Sequence, residues 1–288
     1  MSRVRISSPA PFFFFAGIHA FAGIDFRPGI IPSGTVSQAP EVVKRDVIRQ
    51  AAIRTIESAV REFGSGLSIV TSFQREGVAI IDLVQKVAPG TPVLTIDTGR
   101  LPPATFEMIQ AIDQRYGIRV ESILPDPAEV ASMVHSHGIG LFRNSYPERI
   151  LCCQVRKVRP LAKRLKGVPA FFTGLRRAQS ESREDIEVID RSSTPVKISL
   201  LADWTADDVL SYTKENNLPE HPLYAEGYTS IGCDPCTRAV APGEDERAGR
   251  WWWETDEAKE CGLHFSPEGK VERKVDVLLR EILERASV

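Results

Sequence analysis

Four short apolar runs alternate with longer stretches of helical periodicity, and this alternation restricts the fold more than any other property of the chain. Leu67-Ser68-Ile69-Val70-Thr71 reads as a buried strand, and so do 92–96, 119–124 and 170–173. Between and around them, apolar residues recur at three- and four-residue spacing. Val43, Val47, Ala51, Ile56 and Val60 lie on a helix over 42–63, which Gly64-Ser65-Gly66 stops. Further helices are predicted over 78–87, 104–116 and 127–135. Strands alternating with helices of this length form βαβ units, so the expected fold is α/β, a mainly parallel sheet flanked by helices. Ligands of such sheets sit at the carboxyl ends of the strands. Three polar turns fall there, at 72–77, 97–100 and 174–183.

The chain has 288 residues, with 36 Lys plus Arg against 38 Asp plus Glu and a net charge of −2. That balance argues against a dedicated nucleic-acid binder, which is normally basic. At 42% hydrophobic and 26% charged, the composition is that of an ordinary globular protein. The first 40 residues differ. Arg3 and Arg5 precede the apolar run Pro11-Phe12-Phe13-Phe14-Phe15, and Ala20-Phe21-Ala22 follows, an order that resembles a secretory signal. His19, Asp25 and Arg27 interrupt it, leaving it too short to span a bilayer. Residues 1–40 are therefore read as an N-terminal extension, with disorder left open, and no membrane association is expected. Residues 41–265 form the expected catalytic domain. In 266–288, Val271, Val275, Leu278, Leu279, Ile282 and Leu283 recur at helical spacing, which predicts an amphipathic helix packed on the domain.

Cysteine placement carries the sharpest chemical signal. There are five, an odd number that fits a disulfide framework poorly, and none precedes residue 152. Cys152 and Cys153 are adjacent; Cys233-Asp234-Pro235-Cys236 is a C-x-x-C. Such a pair suits zinc, an iron–sulfur centre or a redox dithiol. Adjacent cysteines serve one tetrahedral zinc awkwardly, whereas two neighbouring thiolates can reach different irons of a [4Fe–4S] cube, which takes four cysteines. Buried cysteines beside a chance C-x-x-C are the plainer alternative. The fifth, Cys261, lies in Lys259-Glu260-Cys261-Gly262-Leu263-His264, where local sequence alone does not distinguish a nucleophile from a surface thiol. Arg156, Lys157, Arg159, Lys163, Arg164 and Lys166 follow Cys153 without an intervening acid, and Arg247 and Arg250 follow the second pair. Arginine suits bidentate recognition of phosphate and sulfate, although a solvated helix face explains many such runs. The Ser72 turn between a strand and a helix can hold an anion on its amides. Trp251-Trp252-Trp253 is expected to pack in a core or interface rather than stack on a base.

Together these residues resemble the assimilatory adenylyl-sulfate (APS) reductases, the iron–sulfur-containing branch of the phosphoadenylyl-sulfate (PAPS) reductase family. The resemblance runs from about residue 43 to 265. It rests on Ile96-Asp97-Thr98-Gly99-Arg100, on Cys152-Cys153 with Arg156-Lys157-Val158-Arg159-Pro160, on Thr173-Gly174-Leu175-Arg176, on Gly232-Cys233-Asp234-Pro235-Cys236, and on Glu260-Cys261-Gly262-Leu263-His264. It implies an adenine-nucleotide α-hydrolase-like fold related to the PP-loop proteins. It further implies a [4Fe–4S] cluster on Cys152, Cys153, Cys233 and Cys236, and Cys261 as nucleophile. Lys157, Arg247, Arg250 and His264 match positions associated with the sulfate and phosphate groups or the active-site lid, and Ser72, Asp97, Thr98, Gly99 and Arg176 match nucleotide-binding turns. The implied activity is cytoplasmic, thioredoxin-dependent reduction of APS to sulfite and AMP through a Cys261 S-sulfonate. The resemblance does not extend into the thioredoxin-like domain of the plant-type enzymes; a thioredoxin or similar thiol carrier is the expected partner, and a homo-oligomer is compatible with the sequence. PAPS reduction and a zinc-stabilised nucleotide-binding module without redox activity are the alternatives. Gln74 and Arg75 stand where related ATP pyrophosphatases have small residues, which speaks against ATP-consuming thiolation.

Overall fold

The computed structural model describes residues 41–254 except 181, 182 and 193. The readings placed on 1–40, on Cys261 and His264, and on the helix of 266–288 lie outside the described residues. Seven α-helices and six strands are described: α1 (Glu41–Phe63), β1 (Leu67–Thr71), α2 (Arg75–Val87), β2 (Val93–Ile96), α3 (Pro103–Tyr116), β3 (Glu121–Ile123), α4 (Pro127–His137), α5 (Tyr146–Cys153), α6 (Arg159–Leu165), β4 (Ala170–Phe172), β5 (Ile189–Asp190), β6 (Val196–Ile198) and α7 (Ala206–Glu215). Local chemistry sets several helix ends. Asp126 accepts from the amides of Ala128 and Glu129 at the start of α4, Ser145 caps α5, and Thr205 and Asp208 form a reciprocal box at α7. Gly117, at φ +61°, ends α3 in the left-handed conformation.

The sheet order is β3-β2-β1-β4-β6-β5, parallel except for β5 at the edge. Adjacent residues of a strand point to opposite faces, and both faces are covered. Ile69, Ala170, Phe172 and Ile198 pack with Ile56 of α1, Ile80 of α2, Ile112 of α3 and Val209 of α7. Leu94, Ile123 and Phe171 pack with Leu161 and Leu165 of α6 on the other side. This is the flanked parallel sheet expected from the alternation. The first four strands fall where the sequence places them. The pair β5 and β6 escaped the reading because it comprises only two and three residues and contains Asp190 and Lys197.

Between α5 and α6 the chain makes a π-helical turn over Gln154–Val158, without leaving the helix. The strand order reverses direction at β1, whose neighbours are β2 on one side and β4 on the other. The loops leaving β1 and β4 diverge from this point and open a crevice at the carboxyl edge, the usual ligand position of open α/β sheets.

Candidate functional site

The β1–α2 turn is the most constrained loop of the crevice. Phe73 is fully buried at φ +58°, an uncommon conformation for a bulky residue. Thr71 Oγ1 accepts its amide at 3.0 Å. A Cβ on Gly77 would lie 2.0 Å from that same oxygen, so α2 can leave β1 here only on a glycine. Gly77→Ala is expected to destabilise the fold by about 1–3 kcal/mol through overpacking; thermal unfolding beside the parent protein checks this. Gln74 and Arg75, the bulky residues of the turn, hold the loop that carries the second cysteine pair. Gln74 Oε1 accepts the amide of Ile231 at 2.8 Å, and Nε2 donates to Ser72 Oγ at 3.0 Å. Arg75 donates to Glu220 at 2.8 Å and lies 3.8 Å from the ring centre of Tyr224.

The β2 turn is stitched to both cysteine segments. Asp97 Oδ1 accepts the amide of Gly99 at 2.8 Å, and Gly99 takes φ +70°. Thr98 is buried, with Oγ1 3.2 Å from Cys233 Sγ. Its carbonyl accepts from Arg156 Nη1 at 2.8 Å, and the Arg100 carbonyl accepts the Asp234 amide at 2.8 Å.

Cys152, Cys153, Cys233 and Cys236 all line one cavity of about 260 Å³ at the crevice, together with Ser72, Thr98, Lys157, Arg247 and Arg250. The described cysteines are free thiols. Burial pushes the Cys152 thiol up, partly offset by Arg100 and Arg156. Burial, then the neighbouring Cys233 and Cys152, push Cys236 up to about 12. Among the described residues no group of three or more His, Cys, Asp or Glu is gathered closely enough for a single metal ion. Four thiols lining one cavity match in number the donor set of a [4Fe–4S] cluster and also that of a tetrahedral zinc site. The surrounding charge fits an anionic group as well: Nε of Arg156 and of Arg250 are buried donors without a hydrogen-bond partner.

Three residues expected at the site stand off the cavity wall. Asp97 and Gly99 shape the turn behind Thr98. Arg176, 1% exposed, donates to Glu76 Oε1 at 2.8 Å and lies 3.5 Å from Glu246 Oε1. It is engaged by two carboxylates and joins the β4 loop to α2 and to the segment before Arg247. Burial raises the Glu246 pKa, with Glu76 adding to the shift and Arg176 opposing it. The wall also includes Gln74, Glu76, Arg100, Arg149, Arg156 and Arg183, none of which the sequence reading assigned to the site. Their signal was present for Arg100 and Arg156, which lie within the matched motifs. Trp251 is 1% exposed and packs with Cys152, Cys236 and Ile150, in keeping with the expectation of a packing role.

The sequence profile of the phosphoadenosine phosphosulfate reductase domain family matches residues 66–239, more than half of the chain. A relative named adenosine 5'-phosphosulfate reductase, from Allochromatium vinosum, is 41% identical over 222 residues, covering 75% of this chain and 86% of the relative. Among solved structures, PAPS reductase from Candida auris, in a phosphate complex, superposes with a TM-score of 0.56 at 26% identity, over 72% of this chain and 100% of that one. Yeast FAD synthetase in complex with FAD superposes with a TM-score of 0.52 at 15% identity, over 70% of each chain, a likeness of fold alone.

Proposed function

Because the chain belongs to the phosphoadenosine phosphosulfate reductase domain family, we propose that it reduces adenosine 5'-phosphosulfate to sulfite and AMP in assimilatory sulfate reduction. The carrying observation is the cavity at the strand-order reversal, whose wall combines four thiols with Lys157, Arg247 and Arg250.

Cys152, Cys153, Cys233 and Cys236 would hold a [4Fe–4S] cluster. When bound, it supplies a fixed charged scaffold joining the two cysteine segments. The thiolate of Cys261 attacks the sulfur of APS: an S–S bond forms, the S–O bond to phosphate breaks, and AMP leaves with the electron pair. The product is a Cys261 S-sulfonate. A thiolate of a reduced dithiol carrier, thioredoxin by expectation, attacks Cys261 Sγ, and sulfite leaves with the electrons of the broken S–S bond. The carrier's second thiol releases Cys261 and closes the carrier disulfide. Sulfur passes from S(VI) to S(IV), and the dithiol supplies both electrons. Two unit charges 4 Å apart repel by roughly 4 kcal/mol at an effective dielectric constant near 20. Lys157, Arg247, Arg250 and His264 offset that repulsion as thiolate and sulfate meet. Ser72 and Thr98, on the wall, are the candidate nucleotide contacts; Asp97, Gly99 and Arg176 fix the turns that present them.

Residues 41–265 are the proposed catalytic domain, between the segments 1–40 and 266–288. Free thiols and a thiol carrier suit a reducing compartment such as the cytoplasm. Among the described residues no helix is long and apolar enough to cross a membrane. The proposal is tested by anaerobic purification and assay with APS and reduced thioredoxin. The expected result is a brown protein releasing sulfite and AMP in equal amounts, with APS turned over faster than PAPS. A colourless zinc protein without sulfite release, or a requirement for ATP, overturns it.

A further inference from the structure

The side-chain amide of Gln74 bridges two walls of the crevice. Gln74 belongs to the β1–α2 turn and Ile231 to the loop before Cys233; both line the cavity, and so does Ser72. A backbone N–H only donates, so the 2.8 Å contact from the Ile231 amide identifies Oε1 as the acceptor and settles which way the Gln74 amide faces. Nε2 is thereby turned to Ser72 Oγ, to which it donates at 3.0 Å. A serine hydroxyl has two lone pairs and one proton. With its oxygen accepting from Gln74, the Ser72 proton is directed elsewhere, and among the described residues nothing accepts it. A small residue at position 74, as in related turns, reaches neither partner.

We infer that Gln74 is a positioning residue, which orders the Ser72 hydroxyl as a donor toward the cavity, where a phosphate oxygen of the nucleotide accepts it. This deepens the reading of Ser72 as a nucleotide contact and rests on it. The donors run one way, from the Ile231 amide through Gln74 to Ser72 and on to the anion. Hydrogen bonds in such a chain polarise one another, and the charged acceptor strengthens the last of them. A hydrogen bond to a charged group contributes about tenfold or more in affinity. Ser72 is exposed, so water competes and the low end of that range applies.

Two substitutions separate orientation from the other effects of Gln74. In Gln74→Glu the side chain only accepts: one oxygen keeps the Ile231 amide, and the other draws the Ser72 proton away from the ligand. Gln74→Met removes both bonds and leaves the hydroxyl free to rotate. AMP affinity, measured by anaerobic equilibrium dialysis, is expected to fall about tenfold in Gln74→Glu and by a smaller factor in Gln74→Met. Adenosine, which lacks the phosphate, is expected to bind as in the parent, with iron content unchanged and the KM for APS raised at unchanged kcat. The ratio of AMP affinities is expected to persist at about 1 M salt, where repulsion between exposed charges is screened. In a Ser72→Ala background there is no hydroxyl to orient, and Gln74→Met is expected to change AMP affinity by less than about twofold. An undiminished loss in that background overturns the inference and assigns Gln74 to seating the 230–232 segment, where Arg250 Nη1 lies 3.5 Å from Ser230 Oγ. Equal AMP affinity in parent and Gln74→Glu also overturns it, as does a loss that follows iron content. If Gln74→Met does not fold, the cycle of Gln74→Glu with Ser72→Ala at high salt decides. A parent protein that binds no AMP removes the nucleotide reading itself, a result distinct from parent and variants binding AMP alike.

Discussion

Cys261→Ser is expected to abolish the sulfonate adduct and to reduce sulfite release by roughly a million-fold, the scale seen when a covalent mechanism loses its nucleophile. A serine hydroxyl is not ionised at neutral pH, whereas a cysteine thiolate needs only a modest depression of its pKa from about 8.5. Binding of AMP is expected to persist, because the turns after β1 and β2 and the arginines of the cavity wall do not depend on Cys261. Mass spectrometry after incubation with APS separates the alternatives. An adduct that survives the substitution assigns the chemistry to another thiol and ends the present mechanism.

The second large effect concerns the four cavity thiols. Cys236→Ser is expected to lower bound iron and to reduce turnover roughly a hundredfold or more, on the scale of losses from damaged metal environments. The substitution hardly changes side-chain volume, so packing against Cys152 and Trp251 is largely retained. Iron analysis, visible absorption and turnover of anaerobically prepared protein give the result. Full iron content with full turnover removes Cys236 from the set of ligands. Bound zinc without colour in the parent protein restores the zinc-stabilised module.

Elements with strong periodicity were legible in the sequence. The runs at Leu67–Thr71 and Val93–Ile96 are apolar because both faces of the sheet are covered, so their burial shows directly in residue type. The strand β6 lies between β4 and β5 yet contains Lys197 and only three residues, and pattern alone cannot distinguish it from a loop. The helix of Tyr146–Cys153 spans only eight residues and has no long apolar period to reveal it, whereas the basic run that includes α6 already read as a solvated helix face. At the site, spacing identified the thiols but not their surroundings. Arg176 matched a nucleotide turn by motif, and only tertiary structure places it between Glu76 and Glu246. Arg149 and Glu254 are more than a hundred residues apart, and neither lies in a motif.

The π-helical turn at Gln154–Val158 acts as a phase shift. In an α-helix each residue advances the side chains by about 100°. One extra residue in a turn therefore rotates everything before it relative to everything after it. Cys152 and Cys153 face the cavity, while Leu161 and Leu165, on what is nearly the same rod, face the sheet. An uninterrupted α-helix would place Leu161 and Leu165 about 180° and 220° around the axis from Cys152, and one extra residue resets that angle by about 100°. The chain thus carries the cavity thiols and the sheet-facing leucines on one rod and confines the change of phase to a single widened turn that includes Arg156 and Lys157.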